Sequence, residues 1–86
     1  MKTGYYQHFK GKYYHVIGVA NHSETQEKLV VYQALYHSKD FGEHPLCVRP
    51  LAMWNERVEK PEYSGPRFTL LAEHGPYKCM DCGVDL

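Results

Sequence analysis

Between His22 and Thr25 the chain sets an imidazole, a hydroxyl, a carboxylate and a second hydroxyl in succession. These groups could support hydrolysis, with His22 as base and Arg49 stabilising developing charge on a phosphate or ester. Residues adjacent in sequence seldom converge as a catalytic set, because triad members usually come from separate elements. The competing reading is a turn in which the Ser23 and Thr25 hydroxyls bond nearby backbone amides. Such a turn on a rigid scaffold is still a candidate for ligand contact. Arg49 and Arg67 each present a planar fork suited to carboxylate or phosphate. If turn and arginines meet, His22, Glu24, Arg49 and Arg67 form a polar pocket edged by Tyr6, Tyr32 and Trp54. The alternative is structural, with the arginines paired to an acid such as Glu24 and holding the ends of the domain together.

A different chemistry is offered by Cys79-Met80-Asp81-Cys82, which has the spacing of half a zinc ribbon, with His74 five residues before it. Structural zinc takes four ligands, so one pair needs help from elsewhere. Cys47 and His74 supply it only if the tail folds back. The leading expectation is a flexible tail with two reduced thiols and no cofactor. A thioredoxin-like role would require a helix to begin at Cys79, and none is signalled. Of the eight tyrosines, Tyr5, Tyr6, Tyr13, Tyr14 and Tyr36 could form a platform for bases or a proline-rich peptide. In a small domain the same rings also serve as core and rim packing.

These residues must be positioned by a chain of 86 residues, enough for one hydrophobic core and too few for two. Hydrophobic residues make up 43% and charged ones 23%, so most of the chain can order itself without a partner. Ten basic side chains balance ten acidic ones, which removes the cationic excess on which non-specific DNA binding depends. A net charge near zero also leaves a homodimer permissible. No run approaches the ~20 apolar residues of a membrane span, and the opening MKTGYYQHFKGK lacks the apolar core of a signal peptide. Three cysteines without a secretory signal fit a reducing compartment, so the expected location is cytoplasmic.

The elements are mostly strands. Tyr5–Phe9 and Lys12–Ala20 read as a hairpin about Lys10-Gly11, with Tyr14, Val16 and Gly18 on one face and a bulge at Gly18. Region 29–36 is ambiguous. Ser23 and Gln26 resemble a helix capping box, whereas Leu29-Val30-Val31-Tyr32 is β-branched and aromatic and favours a strand burying Val30, Tyr32, Ala34 and Tyr36. His37–Pro45 reads as a loop and Leu46–Val48 as a short strand that Pro50 ends. One helical turn at Leu51–Trp54 leads to an extended segment with Trp54 and Val58 facing inward. Lys60–Pro66 is expected to be loop, and Arg67–Leu71 the last strand. Five or six short strands with polar connections indicate an all-β barrel or roll over residues 1–72, followed by a short irregular tail at 73–86.

The motifs Tyr6 to Gly11, His22 to Thr25, Val30 to Tyr32, Val48 to Pro50, and Arg67 with Phe68 together resemble the bacterial family called domain of unknown function sixteen fifty-three. The resemblance spans about residues 4 to 71 in family order, with Trp54 standing where a Phe is expected. It implies a small SH3-like barrel and decides region 29–36 as a strand. It implies no activity and does not extend to the tail. The expected function is therefore a non-enzymatic binding module for a peptide, a nucleotide or short single-stranded RNA. A small hydrolase using His22 and Arg49, or a subunit that only self-assembles, are the alternatives.

Overall fold

Apolar side chains at every second position of the long β-rich runs require a sheet with one covered face, and this is the architecture found in the computed structural model, which describes residues 1–86. Strands β1 (Gly4–His8), β2 (Tyr13–Asn21), β3 (Lys28–Ala34), β6 (Leu46–Pro50) and β9 (Phe68–Ala72) form one antiparallel sheet in the order β6-β3-β2-β1-β9. Two hairpins stand outside it, β4 (His37–Ser38) with β5 (Gly42–Glu43), and β7 (Arg57–Lys60) with β8 (Tyr63–Pro66). The single helical turn α1 (Leu51–Trp54) follows Pro50 directly. No helix is long and apolar enough to cross a membrane.

Region 29–36 is a strand as far as Ala34, with Val30, Tyr32 and Ala34 buried. The register between β2 and β3 slips between Val16 and Gly18, which leaves Ile17 as the extra residue and places the bulge beside the glycine. Bulges increase local twist and bend the strand. The sheet curls far enough for its two edges to face each other. Arg49 of β6 lies over the Phe68 ring of β9, 5.3 Å from its centroid, although the two strands share no ladder.

Inside the curl lie Tyr6, Val16, Val30, Tyr32, Trp54 and Phe68. The α1 turn delivers Trp54 into this space, where its ring stacks on Phe68 at 3.6 Å and 2° and meets Tyr6 edge-on at 5.6 Å. Val58 is buried with Trp54, as their spacing predicts. The expected loop at Lys60–Pro66 is instead the β7–β8 hairpin, in which Lys60 pairs with Tyr63 and Arg57 with Pro66. Pro66 is tolerated because it sits at the end of a two-stranded ribbon, where no further strand needs its missing N–H. Likewise, the polar segment after Tyr36 holds the short β4–β5 ladder, His37 opposite Glu43 and Ser38 opposite Gly42.

The tail folds back on the sheet. The Tyr77 ring stacks on His15 at 3.8 Å, and the Met80 amide donates to the Leu35 carbonyl at 2.7 Å. A bridge between Lys78 and Asp85, with the Leu86 amide bonded to the Tyr77 carbonyl, closes the tail into a small loop of its own.

Candidate functional site

The two arginines come together, but not where His22 is. Arg49 leaves β6 opposite Val30 and is half-buried over Phe68. Arg67 precedes β9, where its carbonyl accepts the Phe9 amide at 2.9 Å and its guanidinium lies 5.9 Å from the Phe9 ring. His8 occupies the space that both arginines border. Its ring meets Phe68 edge-on at 4.9 Å and Phe9 at 4.6 Å. Lys10 and Lys60 approach the same Phe9 ring at 5.8 and 5.4 Å, and Tyr63 stacks on it at 5.4 Å. The ion pairs of the molecule lie elsewhere, at Lys2–Glu73, Arg57–Glu59 and Lys78–Asp85. Arg49, Arg67, Lys10 and Lys60 therefore have no carboxylate partner.

The charges at this face act on His8. Burial, then Arg49, Arg67 and Lys10 in turn, lower its pKa to about 4, so the imidazole is neutral near pH 7. Burial also raises the Tyr32 hydroxyl, against the opposing pull of Arg49. For a histidine depressed in the folded state, the unfolded chain takes up the extra proton first, near its ordinary value of about 6.5. The His8 contribution is thus fully present above that value and is lost as pH falls towards 4. His15, lowered by burial, acts in the same direction. The urea midpoint should fall between pH 7 and pH 5, and His8→Gln should flatten part of that fall. An unchanged slope in the variant would remove His8 from the account.

The His22–Thr25 motif is an exposed turn between β2 and β3. His22 Nδ1 accepts the amides of Glu24 and Thr25 at 3.2 and 3.3 Å, and the Thr25 hydroxyl accepts the Glu27 amide. No hydrogen bond, ion pair or ring contact joins His22 or Glu24 to either arginine. No contact supports the convergence of turn and arginines that the sequence left open, and the His22 imidazole is turned into its own loop. Tyr6, Tyr32 and Trp54 lie in the core beneath the arginines, and the site is an open face, with no pocket in it. The tyrosine platform divides. Tyr6 and Tyr14 turn inward, while Tyr5 stacks on Tyr13 at 5.2 Å on the side that Tyr77 covers. His8 and Phe9, missed from the sequence, were signalled by the alternation of β1, which puts His8 on the Tyr6 face and opposite Phe68.

A second convergence involves the Cys79–Cys82 pair. Ligand atoms of His37, His44, Cys79 and Cys82 all lie within 4.8 Å of one another. The two other residues expected there are absent from the group. Cys47 is held by the β6 register opposite Tyr32 and packs against the core, and His74 is exposed at the start of the tail. Their places are taken by histidines from the β4–β5 hairpin and the residue after it. The Asp81 carboxylate fixes this meeting by accepting the His37 amide at 2.7 Å. The amides of Asp81 and Cys82 both point at the Cys79 sulfur at 3.4 Å, and Gly83, at φ +75°, turns its amide onto the Cys79 carbonyl. His44 has φ 49°, a left-handed conformation that costs a side-chain-bearing residue about 1 kcal/mol. Its Nε2 is buried without a hydrogen-bond partner. Burial raises the Cys79 thiol, but the neighbouring His44 imidazole and the Cys82 and Asp81 amides outweigh it and bring the pKa down to about 6. The readable signal was a Cys-x-x-Cys-Gly run together with a histidine at each end of the polar loop.

Comparison with known proteins places residues 4–70 in the match to the family model described as protein of unknown function, DUF1653. A crystal structure of a protein of that family from Bordetella bronchiseptica is similar to this chain. It shows 36% identity and a TM-score of 0.76, over 88% of this chain and 94% of that one. No curated protein matches.

Proposed function

Because the chain belongs to the DUF1653 family, whose description states no activity, its role rests on its own chemistry, and we propose that it is a cytoplasmic binding module for a phosphate-bearing ring compound, a nucleotide or short single-stranded RNA. The reading rests on one observation. Four cations, Arg49, Arg67, Lys10 and Lys60, gather around the Phe9 and Phe68 rings with no carboxylate to neutralise them. Unpaired guanidinium groups favour phosphate oxygens, and the half-buried Phe9 ring beside them favours a base. Neutral His8 can donate or accept a hydrogen bond without adding charge. The curled sheet, closed across its edges by side chains, suits the SH3-like form that the family resemblance implies.

Amide spectra of the full chain titrated with nucleoside monophosphates and with a short oligouridine provide the test. Shifts should map to His8, Phe9, Arg49, Arg67 and Phe68, and affinity should weaken with salt. Arg49→Gln and Arg67→Gln should each weaken binding roughly tenfold or more, the scale of a lost charged hydrogen bond. Absence of binding at millimolar nucleotide, or unchanged affinity in both variants, would reject the reading. Preferential binding of an acidic or proline-rich peptide would reassign the ligand. A second reading, self-association along β6, draws on that strand's position at the sheet edge and on exposed Leu46 and Val48. Light scattering showing a dimer that Val48→Lys disrupts would favour it.

A further inference from the structure

We propose that His37, His44, Cys79 and Cys82 form a structural zinc site that fastens the C-terminal tail to the β4–β5 hairpin. Three independent features point to a bound ion. The four donors are two thiols and two imidazoles, the set that suits tetrahedral zinc. They already lie within 4.8 Å of one another. Zinc at its usual bond lengths would hold such atoms about 3.3–3.8 Å apart, so side-chain rotation of less than about an ångström brings them into place. Second, His44 Nε2 is buried and unpartnered, which costs free energy unless something accepts its lone pair. Third, the Asp81 and Cys82 amides are aimed at the Cys79 sulfur, and the Asp81 carboxylate holds the His37 backbone. Amides so directed stabilise a metal-bound thiolate, and outer contacts of this kind orient ligands in metal sites.

A single ion fits better than a two-iron cluster, whose bridging sulfides would set the thiol and imidazole pairs farther apart. Four protein ligands leave no open position for water or substrate, so the role is structural. Each thiol loses one proton to solvent on binding, and the imidazoles bind through neutral nitrogens. This site is separate from the arginine face, and neither proposal depends on the other.

The full chain, produced with zinc in the medium and purified without chelator, should carry one zinc per chain by elemental analysis. Replacement by cobalt(II) should give the visible bands of tetrahedral coordination together with a thiolate-to-cobalt charge-transfer band. Removing the metal should lower Tm and speed amide exchange at Cys79 and Leu86, while β2 and β3 stay protected. His44→Ala and Cys82→Ser should each weaken zinc binding by roughly a hundredfold or more, whereas Cys47→Ser and His74→Ala should leave it unchanged. The cobalt spectrum of the unaltered chain decides the matter even if a variant fails to fold. Octahedral cobalt, an iron chromophore in the purified protein, or zinc well below one per chain would overturn the proposal. Zinc affinity unaffected by both His37→Ala and His44→Ala would do the same.

Discussion

Trp54→Ala is expected to remove a large share of the folding stability, about 3–5 kcal/mol. The indole is 3% exposed and touches three other rings of the core, lying parallel to Phe68, tilted against Tyr32 at 5.1 Å and edge-on to Tyr6. Removing a buried aromatic side chain costs about 3–5 kcal/mol, because the lost transfer energy is joined by the cost of the cavity. A domain of this length has only about 4–13 kcal/mol of stability. The core is also thin, with only twelve buried residues, so neighbouring side chains cannot fill a hole of indole size. Trp54→Phe, which keeps a ring against Phe68, should cost no more than about 2 kcal/mol. Urea unfolding followed by near-ultraviolet circular dichroism separates these outcomes. A loss below about 1 kcal/mol in the alanine variant would mean that the stack contributes little.

Gly4→Ala should be the next most damaging change, through the backbone rather than the core. Gly4 has φ +134°, which residues with a side chain rarely adopt. A methyl group there would meet the Ala72 carbonyl and come within 2.8 Å of Glu73 Cα, so the obstacle is main chain that cannot swing aside. Either β1 or β9 must shift, and the pairing of Tyr5 with Ala72 is next to it. Conformational strain and overpacking together should cost about 2–4 kcal/mol. Gly11→Ala is the control. It also has positive φ, but nothing lies within 4 Å of the added carbon, so it carries only the conformational part. Thermal melts of the two variants should differ clearly, with Gly4→Ala the lower, and equal melting points would refute the steric argument.

What the sequence made legible follows from local rules. The β1–β2 hairpin could be read from alternation on either side of Gly11, and the strand at Lys28–Ala34 from β-branched residues that outweigh a capping-box coincidence. Trp54 and Val58 were correctly turned inward by their spacing. The β7–β8 hairpin was missed because two prolines and a glycine signal a loop, yet a free-standing ribbon places few demands on its outer hydrogen bonds. The sites were harder to read because each joins residues distant in sequence. Arg49 and Arg67 could be nominated from their chemistry, but only the curl of the sheet brings His8 between them. Two cysteines announced a metal pair, but nothing local distinguishes His37 and His44 from His74, and the choice depends on how the tail folds back. His22 shows the opposite error, since a motif rich in reactive groups uses them to hold its own turn.

The contact of Arg49 with Phe68 gives the arginine two tasks. It bridges strands at opposite margins of the sheet that share no backbone hydrogen bonds, and it is one of the charges free to meet a phosphate. An anion that draws the guanidinium off the ring would loosen the seam of the roll, while one bound with the stack intact would tighten it. The exchange rates of the β6 and β9 amides, measured with and without ligand, therefore report whether recognition and closure compete or cooperate.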